Sequence, residues 1–252
     1  MGDFETLYQQ SISDADSFWR TAADDVEWYK KPEIILDDSN SPFSRWFPDG
    51  EINACFNAVD HHVNSGRGEQ NAIIYDSPVT DTKEFITYAQ LLERVSLFAG
   101  ALQDAGVQRG DRVLIYMPMV PDALVAVLAS ARLGAIHSVV FGGFASNELA
   151  VRIDDATPKV IVAASCGIET SRVIEYKPLL DAAVDTATHK PDHCIVLQRP
   201  QCKAAMTAGR DLDWHDAVAS AKPAACVAVN SCLLYTSPSP RDRTRSRMPS
   251  SA

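Results

Sequence analysis

The sequence predicts an α/β fold built on a parallel sheet and preceded by a helical, aromatic-rich leader. Three observations predict it. Short apolar runs recur at 112–117, 138–141, 160–164 and 194–197. Segments with apolar residues at helical spacing separate them. Each gap is also long enough for a crossover helix, and strands alternating with helices in this way form βαβ units with parallel strands.

The elements follow in order. Residues 1 to about 50 carry Phe18, Trp19, Trp28, Trp46 and Phe47 between acidic and proline-containing stretches. Large aromatic side chains bury much surface per residue, so short helices here have the means to dock onto a larger body. Pro42, Pro48, Asp49 and Gly50 punctuate the end of this arm. An extended stretch follows at 72–75, then a turn with Ser77, Pro78 and Asp81. Thr87 and Gln90, three residues apart, have the spacing of a capping box. They open a helix carrying Leu91, Leu92, Val95, Phe98, Ala99 and Leu102, which Gly106 closes. Pro121 suits the first position of the next helix, and Gly134 its stop. Strand 138–141 runs into Gly142-Gly143, and Ser146 is the expected cap of a helix reaching 155. A further helix spans 176–188. The expected domains are a leader over 1–58, a main domain over 59–229 and a foreign or disordered tail over 230–252.

Composition excludes several function classes. Hydrophobic residues make up 46% and charged residues 22% of 252, an ordinary globular mix. No apolar run approaches the roughly 20 residues of a membrane helix. The net charge is −10, and residues 230–252 hold four arginines against one aspartate, so the rest carries −13. An acidic body argues against nucleic acid as the main partner. The acidic start resembles neither a secretory signal nor a transit peptide, so a cytoplasmic protein is expected. The mitochondrial matrix is the alternative if a transit segment lies upstream. The six cysteines form no C-x-x-C pair and are expected to be inert reduced thiols. His61-His62 and His189…His193 lack ligand partners at metal spacing, so no metal site is expected. His137 is expected to be a core or strand-end residue. Gly66-Arg-Gly68 lacks the third glycine and preceding strand of a dinucleotide loop.

More specific are several words in order. DRVLIYMPM at 111–119, LASARLGAIH at 128–137 and SVVFGGF at 138–144 resemble the short-chain acyl-CoA synthetases of the adenylate-forming enzymes. RWF at 45–47 and NACFNAVDHHV at 53–63 look like the leader of that family. IDDA at 153–156 and GIETSR at 167–172 favour the propionyl-CoA synthetases over the acetyl-CoA synthetases. The resemblance covers about residues 4–229. It implies part of the adenylate-forming fold and a two-step reaction. A carboxylate attacks the α-phosphate of ATP, with Mg2+ present, and coenzyme A then displaces AMP. The implied partners are a small carboxylate, ATP and coenzyme A, with neither nucleic acid nor membrane.

The resemblance also implies a coenzyme A site at Gly142, Gly143, Glu169, Thr170, Ser171 and Arg172. Two glycines after a parallel strand let backbone approach a flat ligand; a tight turn with no ligand is the plainer reading. An arginine fork suits phosphate, so Arg172 is the best candidate for the nucleotide 3′-phosphate. A solvated surface side chain is its alternative. Acetyl-CoA synthetases have an arginine where Glu169 stands, and a carboxylate cannot attract phosphate.

No catalytic residue is assigned. The phosphate loop of the family reads YTSGTTG-x-PKG, and its hydroxyls and glycine amides cradle ATP phosphates. Here 232–237 reads CLLYTS, then Pro238-Ser-Pro-Arg follows. The glycines, the two threonines after the first glycine and the lysine are absent, and prolines remove amide donors. The tail RDRTRSRMPSSA resembles translated adapter or vector sequence; a basic segment that binds nucleic acid or becomes phosphorylated is the alternative. The 252 residues are therefore expected to be inactive as a ligase. The other readings are an acetate-CoA ligase fragment and a non-catalytic coenzyme A-binding module.

Overall fold

A computed structural model describes residues 2–169 and 172–231. The expectations for the tail beyond 231 lie outside the described residues. The fold divides into two compact units. Of the described residues, one unit holds 2–52 with 229–231, and the other holds 53–169 with 172–228.

In the smaller unit, helices Gly2–Ser13 and Ala15–Ala22 confirm the short helices expected around Phe18 and Trp19. Trp28 lies past them in irregular chain, because a 3-10 turn over Ala23–Asp25 ends the helical run. Ring contacts tie its aromatic residues together. Trp19 meets Trp46 edge-on with centroids 5.6 Å apart, and Trp28 packs on Phe47 at 5.5 Å. Two-residue strands pair Leu36–Asp37 with Arg45–Trp46, and Glu51–Ile52 with Val229–Asn230.

The larger unit opens with Asn53, whose side-chain amide donates to the carbonyls of Ala131, Arg132 and Val227 at 2.8–3.1 Å. Helical chain containing π-helical turns at Phe56–Asp60 and Val63–Arg67 follows. An antiparallel hairpin comes next, β1 (Asn71–Ser77) and β2 (Thr82–Thr87). Its second strand, over 82–87, was not expected from the sequence. Helix α1 (Tyr88–Asp104) starts with the expected capping box, in which Thr87 and Gln90 each bond the other's backbone amide.

The sheet is parallel throughout: β3 (Arg112–Met117), β4 (Ile136–Phe141), β5 (Val160–Ala164), β8 (His193–Leu197) and β9 (Asp211–Asp213), in spatial order β9-β8-β5-β3-β4. Helix α2 (Pro121–Arg132) joins β3 to β4, and α3 (Ser146–Ala156) joins β4 to β5. A hairpin of β6 (Cys166–Glu169) and β7 (Arg172–Glu175) leads into α4 (Tyr176–Thr186), and α5 (Trp214–Ser220) follows β9. Ser146 is not the cap of α3. It is the first helical residue, and Ala145 occupies the cap position in extended conformation with no side chain to offer.

Alternation along the strands builds two cores. Val113, Ile115, Val160, Val162 and Ile195 face Phe98, Val125 and Trp214 of α1, α2 and α5. Leu114, Tyr116, Ile161, Ala163 and Val196 face Leu149, Ile153 and Leu180 of α3 and α4. A sheet covered on both faces explains why its central strands read as continuous apolar runs. Strand β4 is the exception. It stands at the sheet edge with Val139 60% and Phe141 71% exposed, and His137 is exposed beside them rather than buried in a core.

Candidate functional site

The chain runs from β3 to β4 on one side of the sheet and from β5 to β8 on the other. In parallel sheets ligands gather beyond the carboxyl ends of strands where the order reverses in this way. Both predicted stretches lie there. Gly142-Gly143 follows β4, and the hairpin of β6 and β7 rises from the end of β5.

Tyr176 brings the two stretches together. It is buried at the start of α4, and its ring fills the space that side chains on Gly142 and Gly167 would take. A Cβ on Gly142 would stand 2.5 Å from the phenol oxygen, and one on Gly167 would meet the same ring still closer. Gly143 has φ +104°, a conformation that favours glycine, and a Cβ there would stand 3.7 Å from Glu169 Oε1. Tyr116 packs its ring at a tilt, with its centroid 4.9 Å from that of Tyr176, and donates to the Phe144 carbonyl at 3.1 Å. Burial pushes the Tyr116 phenol up to about 12, against the opposing hydrogen bond from the Gly143 backbone. Burial and the Glu169 carboxylate likewise raise the Tyr176 phenol. Both phenols therefore stay protonated at neutral pH, as donors and apolar walls rather than bases.

The foot of the hairpin is fixed from below. Arg199, itself buried, donates to the Cys166 carbonyl at 3.1 Å, and its amide donates to Ser165 Oγ at 2.9 Å. The tip is exposed. Arg172 lies opposite Glu169 in the hairpin register and donates twice to Glu169 Oε2, from Nη2 at 2.9 Å and Nε at 3.2 Å. The Arg172 side chain is 72% exposed and that of Glu169 49%. Thr170 and Ser171 lie outside the described residues. Of the candidate site, Gly142, Gly143, Glu169 and Arg172 thus come together, with a carboxylate already on the guanidinium. Sequence reasoning missed Tyr116, Tyr176 and Arg199. The one signal for Tyr176 was its place four residues after Arg172, at a helix start.

Comparison with known proteins fixes the kinship. A family model described as AMP-binding enzyme matches residues 60–239, and one described as acetyl-coenzyme A synthetase N-terminus matches residues 4–58. The chain belongs to the AMP-binding enzyme family. It is 52% identical to an uncharacterized protein of Pseudomonas aeruginosa, over 91% of this chain and 37% of that protein. It is 48% identical to the mitochondrial acyl-CoA synthetase short-chain family member 3 of Rattus norvegicus, over 94% of this chain and 35% of the relative. With the propionate–CoA ligase of Escherichia coli it shares 44% identity, over 93% and 38%. The acetoacetyl-CoA synthetase from Streptomyces lividans has the same fold, with a TM-score of 0.80 at 23% identity, over 91% of this chain and 35% of that one. The chain therefore spans little more than a third of the length of these relatives. The adenylate-forming fold expected from the sequence is shown, and the relatives matched include short-chain acyl-CoA synthetases and a propionate–CoA ligase. Among the described residues no helix is long and apolar enough to cross a membrane.

Proposed function

We propose that the chain is part of an ATP-dependent short-chain acyl-CoA synthetase that converts propionate, ATP and coenzyme A into propionyl-CoA, AMP and pyrophosphate. The observation that carries the reading is the match of the AMP-binding family model over residues 60–239, joined to relatives named for short-chain acyl-CoA and propionate–CoA ligation. The domain division at 1–58, 59–229 and 230–252 belongs to the same reading, as does a cytoplasmic location, with the mitochondrial matrix as the alternative. Magnesium would accompany ATP in the complete enzyme, and no described residue is assigned to hold it.

In this reading Gly142, Gly143 and the hairpin tip from Glu169 to Arg172 bind the nucleotide end of coenzyme A. Tyr176 and Tyr116 supply a rigid apolar backing that supports the ridge of glycine backbone. Arg172 offers its fork to phosphate once it leaves Glu169, an exposed pair that holds it only weakly.

The purified chain is expected to show neither propionate-dependent exchange of pyrophosphate into ATP nor thioester formation, because the phosphate-loop glycines and lysine are absent. Robust turnover would overturn the inactivity. Titration with coenzyme A is expected to show binding that Arg172→Ala weakens about tenfold, or 1.4 kcal/mol. Glu169→Gln is expected to strengthen it instead, since the competing carboxylate is gone. Equal affinity in all three proteins would remove the hairpin from the site.

A further inference from the structure

Away from the glycine ridge and the hairpin, two cysteines far apart in the sequence meet beneath helix α2. Cys55, at the start of the helical chain after Asn53, is fully buried; Cys226, in the extended segment after α5, is half-buried. Their sulfurs and a carboxylate oxygen of Asp60 lie within 4.8 Å of one another. Such a group of donors would suit a metal ion. A cation already fills the place: Arg132 Nη1 stands 2.7 Å from Asp60 Oδ2, 3.0 Å from Cys226 Sγ and 3.7 Å from Cys55 Sγ. The rest of the guanidinium is held by Asp60 Oδ1 at 3.0 Å and by the Ala224 carbonyl at 2.6 Å.

We propose that Cys55 and Cys226 form a redox dithiol, closed to a disulfide by hydrogen peroxide and related hydroperoxides, with Arg132 as the positioning residue that keeps one sulfur anionic. Both sulfurs share one guanidinium nitrogen, which favours a thiolate on either. The electrostatics agree with the geometry. A hydrogen bond from Cys226, with the Arg132 guanidinium behind it, holds the Cys55 thiol below its ordinary value; the same bond and burial push the second proton loss, at Cys226, upward. The pair thus carries one proton and one negative charge over a range where isolated thiols keep both protons.

The chemistry balances without help from elsewhere. Cys226 is the less buried of the two residues. The pair's one proton passes to Cys55, and the Cys226 thiolate beside Arg132 Nη1 attacks one oxygen of the peroxide; the O–O bond breaks, and the departing hydroxide leaves as water after taking a proton from solvent. Cys226 is now a sulfenic acid. The Cys55 sulfur attacks it, the S–S bond forms, the S–O bond breaks, and a second water carries off the Cys55 proton. Two thiols and one peroxide become one disulfide and two waters, with two electrons passing from the sulfurs to oxygen. The new bond ties residue 55 to residue 226 around an Arg132–Asp60 pair that stays in place.

The test treats the full 252-residue chain with one equivalent of hydrogen peroxide under native conditions and maps the product by non-reducing peptide mass spectrometry. Expected is a Cys55–Cys226 peptide that dithiothreitol reverses. It should form more than about tenfold faster than in the same chain unfolded in guanidinium chloride, because folding raises the local thiol concentration. Cys226→Ser is expected to abolish it while Cys202→Ser leaves it unchanged. Since Arg132→Gln risks misfolding, Arg132→Lys serves beside it: a shift of the pH profile of oxidation to higher pH, with circular dichroism unchanged, marks the positioning role. Oxidation led by Cys202, cross-linking only between chains, or equal rates in native and unfolded protein would overturn the proposal. Neither sulfur belongs to the proposed coenzyme A site, so the result is independent of coenzyme A binding.

Discussion

At Gly142 a single methyl group would stand 2.5 Å from the Tyr176 oxygen and 2.9 Å from its ring. Gly142→Ala is expected to destabilise the fold by about 1–3 kcal/mol, the cost of overpacking a filled site, with a matching drop in the urea midpoint. An unchanged midpoint would mean that Tyr176 swings aside freely. The glycine pair was legible in the sequence because two adjacent glycines after an apolar run are a local signal. Its tyrosine partner was not, since Tyr176 lies 34 positions from Gly142 and meets it only after the sheet has formed. The same distance effect hid the pairing of Cys55 and Cys226. Spacing along the chain shows only ligands on one short loop, and these sulfurs arrive from opposite ends of the unit. Arg172 was found by its place in a recognised word, while its grip by Glu169 required the hairpin register.

Among the elements, α1 was fully legible: its cap, apolar stripe and glycine stop are all short-range. Strand β9 and helix α5 were missed because β9 has only three residues and two of them are aspartates. Its partly buried strand is held by charge. Asp211, whose side chain is wholly buried, pairs with the buried Lys177 at 2.7 Å and with Arg210 Nε at 2.7 Å. Burial alone would raise the Asp211 carboxyl, but hydrogen bonds from Arg210 and Lys177 hold it below the ordinary aspartate value. A carboxyl lowered in the folded state adds stability above its unfolded value, and that stability drains away as pH falls through the folded value. The protein should therefore lose stability progressively below about pH 4. Asp211→Asn is expected to cost roughly 3–5 kcal/mol at pH 7, by leaving Lys177 without its most buried partner, and to flatten the acid slope. Urea titrations at pH 7 and pH 3.5 check both. An unchanged slope would place the acid sensitivity elsewhere.

On the scale of the whole chain, the parallel sheet was readable from alternation, while its order was not, because strand length and hydrophobicity say nothing about which neighbour a strand chooses. The edge position of β4 has a direct consequence. Among the described residues no strand pairs with its outer ladder, and Val139 and Phe141 lie open beside it. Such edges pair with other copies. The chain is expected to self-associate at micromolar concentration, and Val139→Lys to raise the monomer fraction in sedimentation velocity without changing the fold. A clean monomer before substitution would show that the edge is already blunted.

The contacts of Asn53 and Arg132 have a consequence in time. Both bind the segment around residues 224–227, and Cys226 lies 94 residues beyond Arg132. At the usual pace of translation that interval takes roughly 5–20 seconds. Until then Arg132 and Asp60 remain hydrated on the ribosome, and the seam between the first helical chain and α2 stays open to chaperones and proteases. The last stretch of the unit to be synthesised is the one that closes its beginning.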